Sequence, residues 1–154
     1  MTRFCIFAVI LLVATPALAA QHAPDPDEHI LRDYVLTMTK LKAYDTAYTS
    51  LTTAAKTDKS LQADVEAASS EASPTIASTI ARMDHHPRVY AFFQKQGLSK
   101  TEAALLPLIL LDACTAVQYP QILKSMPGMI GPAQIDFCKA NQATIKTMKV
   151  FAGQ

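Results

Sequence analysis

Residues 103–111 limit the fold of this chain more than any other feature, because this apolar stretch carries no charge. Ser99 and Glu102 precede it with the Ser-x-x-Glu spacing of a capping box, which predicts the start of a helix. The run is too short to cross a bilayer, since a spanning helix needs about 20 apolar residues. A helix that is apolar on all sides is normally enclosed by other helices. The sequence therefore predicts a helical bundle around this segment, in which Pro107 kinks the helix or displaces its start.

Helical periodicity and helix caps recur along the rest of the chain. Thr37 can cap a helix in which Tyr44, Tyr48 and Leu51 share one face. Further helix starts are predicted at Asp58, Ser73-Pro74, Pro87 and Gly131-Pro132. The sequence has no useful alternating strand pattern and no hairpin turn. We therefore expect an all-α fold, a single-domain bundle of five or six short helices.

The N-terminus has the three-part pattern of a secretory signal peptide. A short basic start that ends at Arg3 is followed by an apolar run over 4–13, and Ala17 and Ala19 supply the small residues of a cleavage site. We therefore expect removal of residues 1–19 and a periplasmic or secreted protein.

The segment behind the signal peptide is polar and contains Pro24 and Pro26. This composition predicts a flexible N-terminal arm and lead-in over 20–36. Within it, residues 28–36 fit either a short helical turn or an extended segment. The helical domain is expected over 37–154.

Two cysteines remain after cleavage, because Cys5 belongs to the signal peptide and only Cys114 and Cys138 follow it. An even pair in an exported protein usually forms a disulfide, which here would join the central helix to the last one. A redox-active pair usually has Cys-x-x-Cys spacing, and a zinc site would need two further ligands. The sequence therefore predicts a structural disulfide, no metal site and no cofactor.

The charge balance excludes a general nucleic-acid binder. Without Arg3 the 14 basic residues become 13, which equals the 13 acidic residues, and no long block of one sign is present. Binding to nucleic acid needs a clustered positive surface, and docking to anionic lipid needs basic residues as well. We expect no nucleic-acid partner and no membrane span after signal cleavage.

The triplet Asp84-His85-His86 is the one cluster that resembles a catalytic or metal site, because Asp and His bind metals and act as acids and bases. Neighbouring helical residues point about 100° apart, so His85 and His86 do not easily share one metal. The triplet directly precedes Pro87, and it equally fits the boundary between two helices.

Asp112 is a second candidate, because burial in the apolar helix would raise its pKa. More simply, it faces solvent or bonds a neighbour such as Tyr119. The sequence lacks Gly-x-Ser-x-Gly, P-loop, dinucleotide-binding, EF-hand and His-Glu-x-x-His motifs. We therefore expect no catalytic residue and no enzyme, with a small hydrolase that uses Asp84, His85 and His86 as an alternative.

Two apolar groups are candidates for ligand binding. Met126, Met129 and Ile130 lie in an irregular segment, where flexible methionines suit adaptable apolar contacts, unless the segment folds back onto the core. Aromatic residues at helical spacing line either an apolar pocket or an ordinary core; they are Tyr44, Tyr48, Tyr90, Phe92 and Phe93. The expected function is a non-catalytic exported domain that binds a partner protein or an apolar small molecule. A periplasmic immunity or inhibitor protein is the alternative.

Four groups of residues occur in a characteristic order along the chain. They are Leu36-Thr37 before Lys40 and Tyr44, His86-Pro87, Gly97-Leu98-Ser99, and Pro132-Ala133 before Phe137 and Lys139-Ala140-Asn141. In this order the chain resembles a group of small, uncharacterised, all-helical exported bacterial proteins. The resemblance implies a helical periplasmic domain, and it transfers no catalytic residue because the shared positions are helix caps and packing residues.

Overall fold

The computed structural model describes residues 26–71, 75–121 and 130–150 of the chain. The helices in these ranges are α1 (Pro26–Asp33), α2 (Met38–Ala55), α3 (Lys59–Ser70), α4 (Ile76–His85), α5 (Pro87–Lys95), α6 (Lys100–Gln118) and α7 (Pro132–Thr147). The described ranges contain no strand, and the prediction of an all-α bundle is confirmed. The six predicted helices are present, and α1 adds a seventh. The expected signal peptide lies outside the described residues.

Side-chain caps set where several helices begin. The Thr37 hydroxyl accepts from the Lys40 amide at 3.3 Å, and Ser99 and Glu102 form the predicted capping box. The predicted starting pair Ser73-Pro74 lies outside the described residues, and α4 as described begins at Ile76. Thr75 is its cap, because its hydroxyl accepts from the Ser78 amide at 3.0 Å while the Ser78 hydroxyl accepts from the Thr75 amide.

Helix α6 forms the centre of the bundle and contacts α1, α2, α4, α5 and α7. Its buried residues are Ala103, Ala104, Leu105, Leu106, Ile109, Leu110, Ala113 and Ala116. Pro107 lies inside the helix, so it does not displace the start, which the Ser99 capping box determines. By length and composition α6 is the one described helix apolar enough to cross a membrane, a property that the core helices of bundles share.

The predicted disulfide joins α6 and α7, the pair of described helices with the most extensive contact. Cys114 of α6 and Cys138 of α7 are bonded, with their Cα atoms 5.6 Å apart. Cys138 is almost fully buried, so the bond lies within the core. A disulfide of this kind is typical of proteins in an oxidising environment.

The segment before α2 is packed against α7. Of the two alternatives for 28–36, the chain forms α1 and then an extended stretch over 34–37. Gln134 of α7 is buried, and its side-chain amide donates to three backbone carbonyls, those of Leu31, Arg32 and Tyr34, at 2.6, 3.2 and 3.0 Å. Residues 26–36 are therefore part of the packed bundle, in contrast to the flexible lead-in that we expected.

Candidate functional site

A cavity of about 360 Å³ lies between α2, α3, α4, α5 and α6. Its lining is mostly apolar and includes Leu51, Val65, Met83, Val89, Phe93 and Leu108. Protein interiors contain few voids larger than a water molecule, whereas ligand pockets commonly measure about 300–1,000 Å³. The space is open to solvent beside the exposed residues Ser69 and Leu108, and its volume lies at the lower end of the range for ligand sites.

Short side chains on α6 create the space. Ala103 and Ala104 are adjacent, and Pro107 follows one helical turn later. All three line one side of the cavity. Pro107 also lacks an N–H, so it cannot donate to the carbonyl of Ala103 in the preceding turn. Because none of these side chains extends far from the helix, the aromatic residues of α2 and α5 face an unfilled volume.

Four of the five candidate aromatic residues line this cavity, namely Tyr44, Tyr48, Tyr90 and Phe93. The rings of Tyr44 and Phe93 are in contact, and the Tyr90 hydroxyl donates to the Leu98 carbonyl at 3.1 Å. Phe92 is not part of the lining; its ring lies 5.5 Å from the Lys95 ammonium. The aromatic face of α2 thus meets that of α5 around a pocket rather than in a continuous core.

Polar groups are present within the apolar lining. Burial raises the pKa of Tyr44 to about 12, with a further contribution from Tyr48, while the positive charge of Arg82 acts in the opposite direction. No described residue forms a hydrogen bond with the Tyr44 hydroxyl. A phenol and a guanidinium therefore line the same cavity.

The triplet Asp84-His85-His86 does not form one site. Asp84 pairs with Lys100, whereas the His86 Nε2 atom lies 2.9 Å from Glu71 Oε1 and the His85 Nδ1 atom lies 3.7 Å from Glu71 Oε2. The bond from His86, together with the nearby charges of both histidines, holds the pKa of Glu71 below its usual value.

His86 forms the boundary between α4 and α5, in agreement with the structural interpretation of the triplet. Among the described residues, no group of three or more His, Cys, Asp or Glu is arranged to hold a metal ion.

Asp112 is partly buried on α6, and burial raises the pKa of its carboxyl group. Of the two simpler alternatives, a hydrogen bond to Tyr119 is not formed, and the Tyr119 hydroxyl accepts from the Gln118 amide at 3.2 Å. The two residues are seven positions apart, which is about 10 Å along a helix and too far for a direct hydrogen bond. No acid–base partner of Asp112 lies in the described part of the chain.

The predicted apolar loop is only partly described. Met126 and Met129 lie outside the described residues, whereas Ile130 is included. Ile130 is only 9% exposed and belongs to the hydrophobic core. This residue therefore packs inside the bundle and is not available as a surface contact for a ligand.

Comparisons of the chain with protein-family models, with curated proteins and with solved structures found no match. The sequence reasoning missed Arg82, Thr79 and the three short residues of α6 as parts of the cavity. The run of short residues in α6, at positions 103, 104 and 107, was the one available indication. It indicates a gap only once the opposing helices are known.

Proposed function

We propose that this protein is a non-catalytic exported domain that binds an apolar small molecule in the cavity between α2, α3, α4, α5 and α6. The observation that carries the proposal is the cavity itself, with its aromatic and aliphatic lining. Ser69 and Leu108, which belong to this lining, are exposed, so a ligand has a route from solvent. Burial of hydrocarbon there would contribute about 25 cal/mol for each Å² removed from water.

The volume limits the size of the ligand. A water molecule occupies about 30 Å³ of liquid, so a cavity of about 360 Å³ accommodates on the order of 12 non-hydrogen atoms. A medium-length hydrocarbon chain with one small polar group has this size. Decanol is therefore a suitable probe, since it is neutral, unbranched and of matching volume.

Export is part of this proposal. The signal-peptide pattern of residues 1–19 and the bond between Cys114 and Cys138 both favour an oxidising compartment, for which we propose the periplasm. The resemblance to small helical exported proteins agrees with this location. A carrier of an apolar molecule would be useful there, because such molecules dissolve poorly in water.

The alternatives have less support from the described residues. The hydrolase alternative needs Asp84 and the two histidines in one cleft, whereas Asp84 pairs with Lys100 and both histidine rings lie beside Glu71. A partner protein or a periplasmic inhibitor function would need a contiguous interaction surface. Among the described residues, Leu108 and Leu111 are exposed one turn apart on α6, and the other large exposed apolar residues are Ile30, Val35 and Tyr119. Such scattered exposure is common on proteins and is much smaller than a stable interface.

Tyrosine fluorescence tests the proposal directly. The chain has no tryptophan and five tyrosines, of which Tyr44, Tyr48 and Tyr90 line the cavity. Titration with decanol below its solubility limit should change this fluorescence in a saturable way, with one equivalent bound per chain by native mass spectrometry. A linear response without saturation would count against the proposed function.

Matched substitutions on α6 locate the binding site. Ala104→Leu places a larger side chain at the cavity wall, so it should abolish decanol binding. Ala113→Leu is the control, because Ala113 is equally buried on the same helix but is not part of the lining. The control should bind decanol but lose about 1–3 kcal/mol of stability through overpacking. Retained binding in Ala104→Leu would place the ligand elsewhere.

A further inference from the structure

Among the described residues that line the cavity, Arg82 is the only permanently charged side chain; His86 also lines it, and none of these residues is Asp or Glu. Its Nη1 atom donates to the backbone carbonyl of Glu71 at 3.3 Å. No described carboxylate forms an ion pair with its guanidinium. The nearby Glu71 carboxylate is bound by His86 and lies outside the lining. Because partial burial of a charge is costly unless a counter-ion compensates it, this guanidinium is suited to an anionic partner from outside the chain.

The hydroxyl of Tyr44 lies within the electrostatic reach of Arg82 and of Tyr48. This hydroxyl lacks a hydrogen-bond partner among the described residues, so its proton is available to a ligand. A guanidinium with N–H groups beyond the one bound to Glu71 and a phenol without a described partner thus line the same, mostly apolar cavity. Hydrogen bonds to an ionised acceptor are roughly twice as strong as neutral ones.

The charge of the lining distinguishes an anionic ligand from a cationic one. Aromatic side chains around a cavity can hold a cation over their faces, but the Arg82 charge would repel a cation, and the described part of the lining supplies no carboxylate that offsets this repulsion. An anion is attracted by the same charge. The lining therefore selects for an acidic ligand with a hydrocarbon body and against an alkylammonium.

We propose that the bound molecule is a medium-chain carboxylic acid whose carboxylate accepts hydrogen bonds from the Arg82 guanidinium and the Tyr44 hydroxyl. Its hydrocarbon chain packs among Leu51, Val65 and Phe93. The guanidinium supplies two parallel N–H donors to a carboxylate, a geometry that a lysine ammonium cannot reproduce. This assignment rests on the proposed function, since it names the chemical class that the same cavity takes.

Calorimetric titration tests the assignment. The full exported protein is titrated with decanoate, decanol and decylamine, which have equal chain lengths, at about pH 8, where a carboxylic acid is ionised. Decanoate should bind at least about tenfold more tightly than decanol, and decylamine should bind more weakly than decanol. Equal affinity for decanoate and decanol, or a preference for decylamine, overturns the carboxylate assignment while the apolar site stands. Absence of binding by all three probes overturns the proposed function as well.

Variants of Arg82 separate head-group recognition from general damage. Arg82→Met should reduce the preference for decanoate over decanol by about tenfold, and its thermal unfolding midpoint serves as the folding control. Arg82→Lys should bind decanoate with an affinity between that of the wild-type protein and that of Arg82→Met. Arg88→Met is the matched control, because Arg88 is exposed, pairs with Asp58 and Asp64, and is not part of the lining. Unchanged decanoate affinity in Arg82→Met and Tyr44→Phe would overturn the assignment.

Discussion

The ring of Tyr44 packs against the ring of Phe93 with 5.0 Å between their centroids and an angle of 49° between their planes. This tilted contact joins α2 to α5 and forms part of the cavity wall. Tilted aromatic pairs contribute about 0.5–1.5 kcal/mol beyond the burial of their area. The contact therefore stabilises the wall, while the hydroxyl of Tyr44 stays in a nonpolar environment without a bonding partner.

Ionisation of Tyr44 should lower the stability of the wild-type protein at alkaline pH, and Tyr44→Phe should abolish this effect. Burial raises the pKa of Tyr44 from 10.0 to about 12 in the folded state, so the unfolded chain releases this proton first as the pH rises. The stabilisation is fully present below pH 10 and disappears between pH 10 and 12. At about 1.4 kcal/mol per pH unit, the wild-type protein should lose roughly 2–3 kcal/mol from this group, as measured by urea unfolding.

The Tyr44→Phe variant should lose less stability over that interval. A remainder is expected from Tyr34, because burial also raises its pKa. Tyr119→Phe is the control, since Tyr119 is exposed and should retain the full wild-type loss. An identical alkaline profile in Tyr44→Phe and the wild-type protein would contradict the placement of this hydroxyl in a nonpolar cavity.

The helices could be predicted from the sequence because their caps are local. Thr37, Asp58 and Ser99 each bind backbone amides two or three residues away. The disulfide was also predictable, because only Cys114 and Cys138 follow the expected signal peptide. The cavity was not, because its volume depends on which faces of five helices meet.

The packing of the lead-in could not be predicted either. It depends on Gln134, which contacts the Leu31 carbonyl across a separation of 103 residues. Neither the composition of 28–36 nor its weak periodicity indicates such a partner. From the sequence alone, a glutamine such as Gln134 is expected to be exposed to solvent. Only the fold shows that three backbone carbonyls accept from its side chain.

Gln134→Leu should destabilise the protein by about 3 kcal/mol or more. The substitution leaves three carbonyls of the lead-in without their donor, and it removes the side-chain oxygen that accepts from the Gly131 amide at 3.0 Å. Each buried polar group without a partner costs about 1–3 kcal/mol. Urea unfolding measures the change, and hydrogen exchange should show faster opening of residues 26–36 than of α6.

Gln142→Leu provides the matched control for this substitution. Gln142 lies on the same helix but is exposed, so the same change there should alter stability by less than about 0.5 kcal/mol. Equal effects of the two substitutions would show that the Gln134 hydrogen bonds contribute little to the attachment of the lead-in.

Replacement of both Cys114 and Cys138 by alanine should lower the free energy of unfolding by about 3.5 kcal/mol. The bond spans a sequence separation of 24 residues, and closure of a loop of this length restricts the unfolded chain by roughly that amount in the chain-entropy model. Thermal unfolding of the oxidised protein, the reduced protein and the double variant measures the effect. Reduction should destabilise the wild-type protein and leave the double variant unchanged. A reduced protein as stable as the oxidised one would contradict this estimate.

Asp112→Asn should stabilise the protein at neutral pH but not in acid. Burial raises the pKa of Asp112, so the folded state holds its proton to a higher pH than the unfolded chain, for which the usual value is 3.8. The contribution of Asp112 to stability is therefore greatest below pH 3.8 and falls as the pH rises towards the folded-state pKa. An asparagine carries no charge at any pH, so its advantage should grow as the pH rises through this interval and be complete above it.

Urea unfolding at about pH 3 and about pH 7 compares the Asp112 variant with Asp136→Asn, whose side chain is well exposed on α7. A stabilisation in Asp112→Asn that is larger at the higher pH, with little change in Asp136→Asn, is the expected result. The opposite pH dependence would mean that a cation compensates the Asp112 carboxylate in the folded protein. Such a partner would restore Asp112 as a candidate for acid–base chemistry, so this comparison also bears on the proposal that the domain binds its ligand without catalysis.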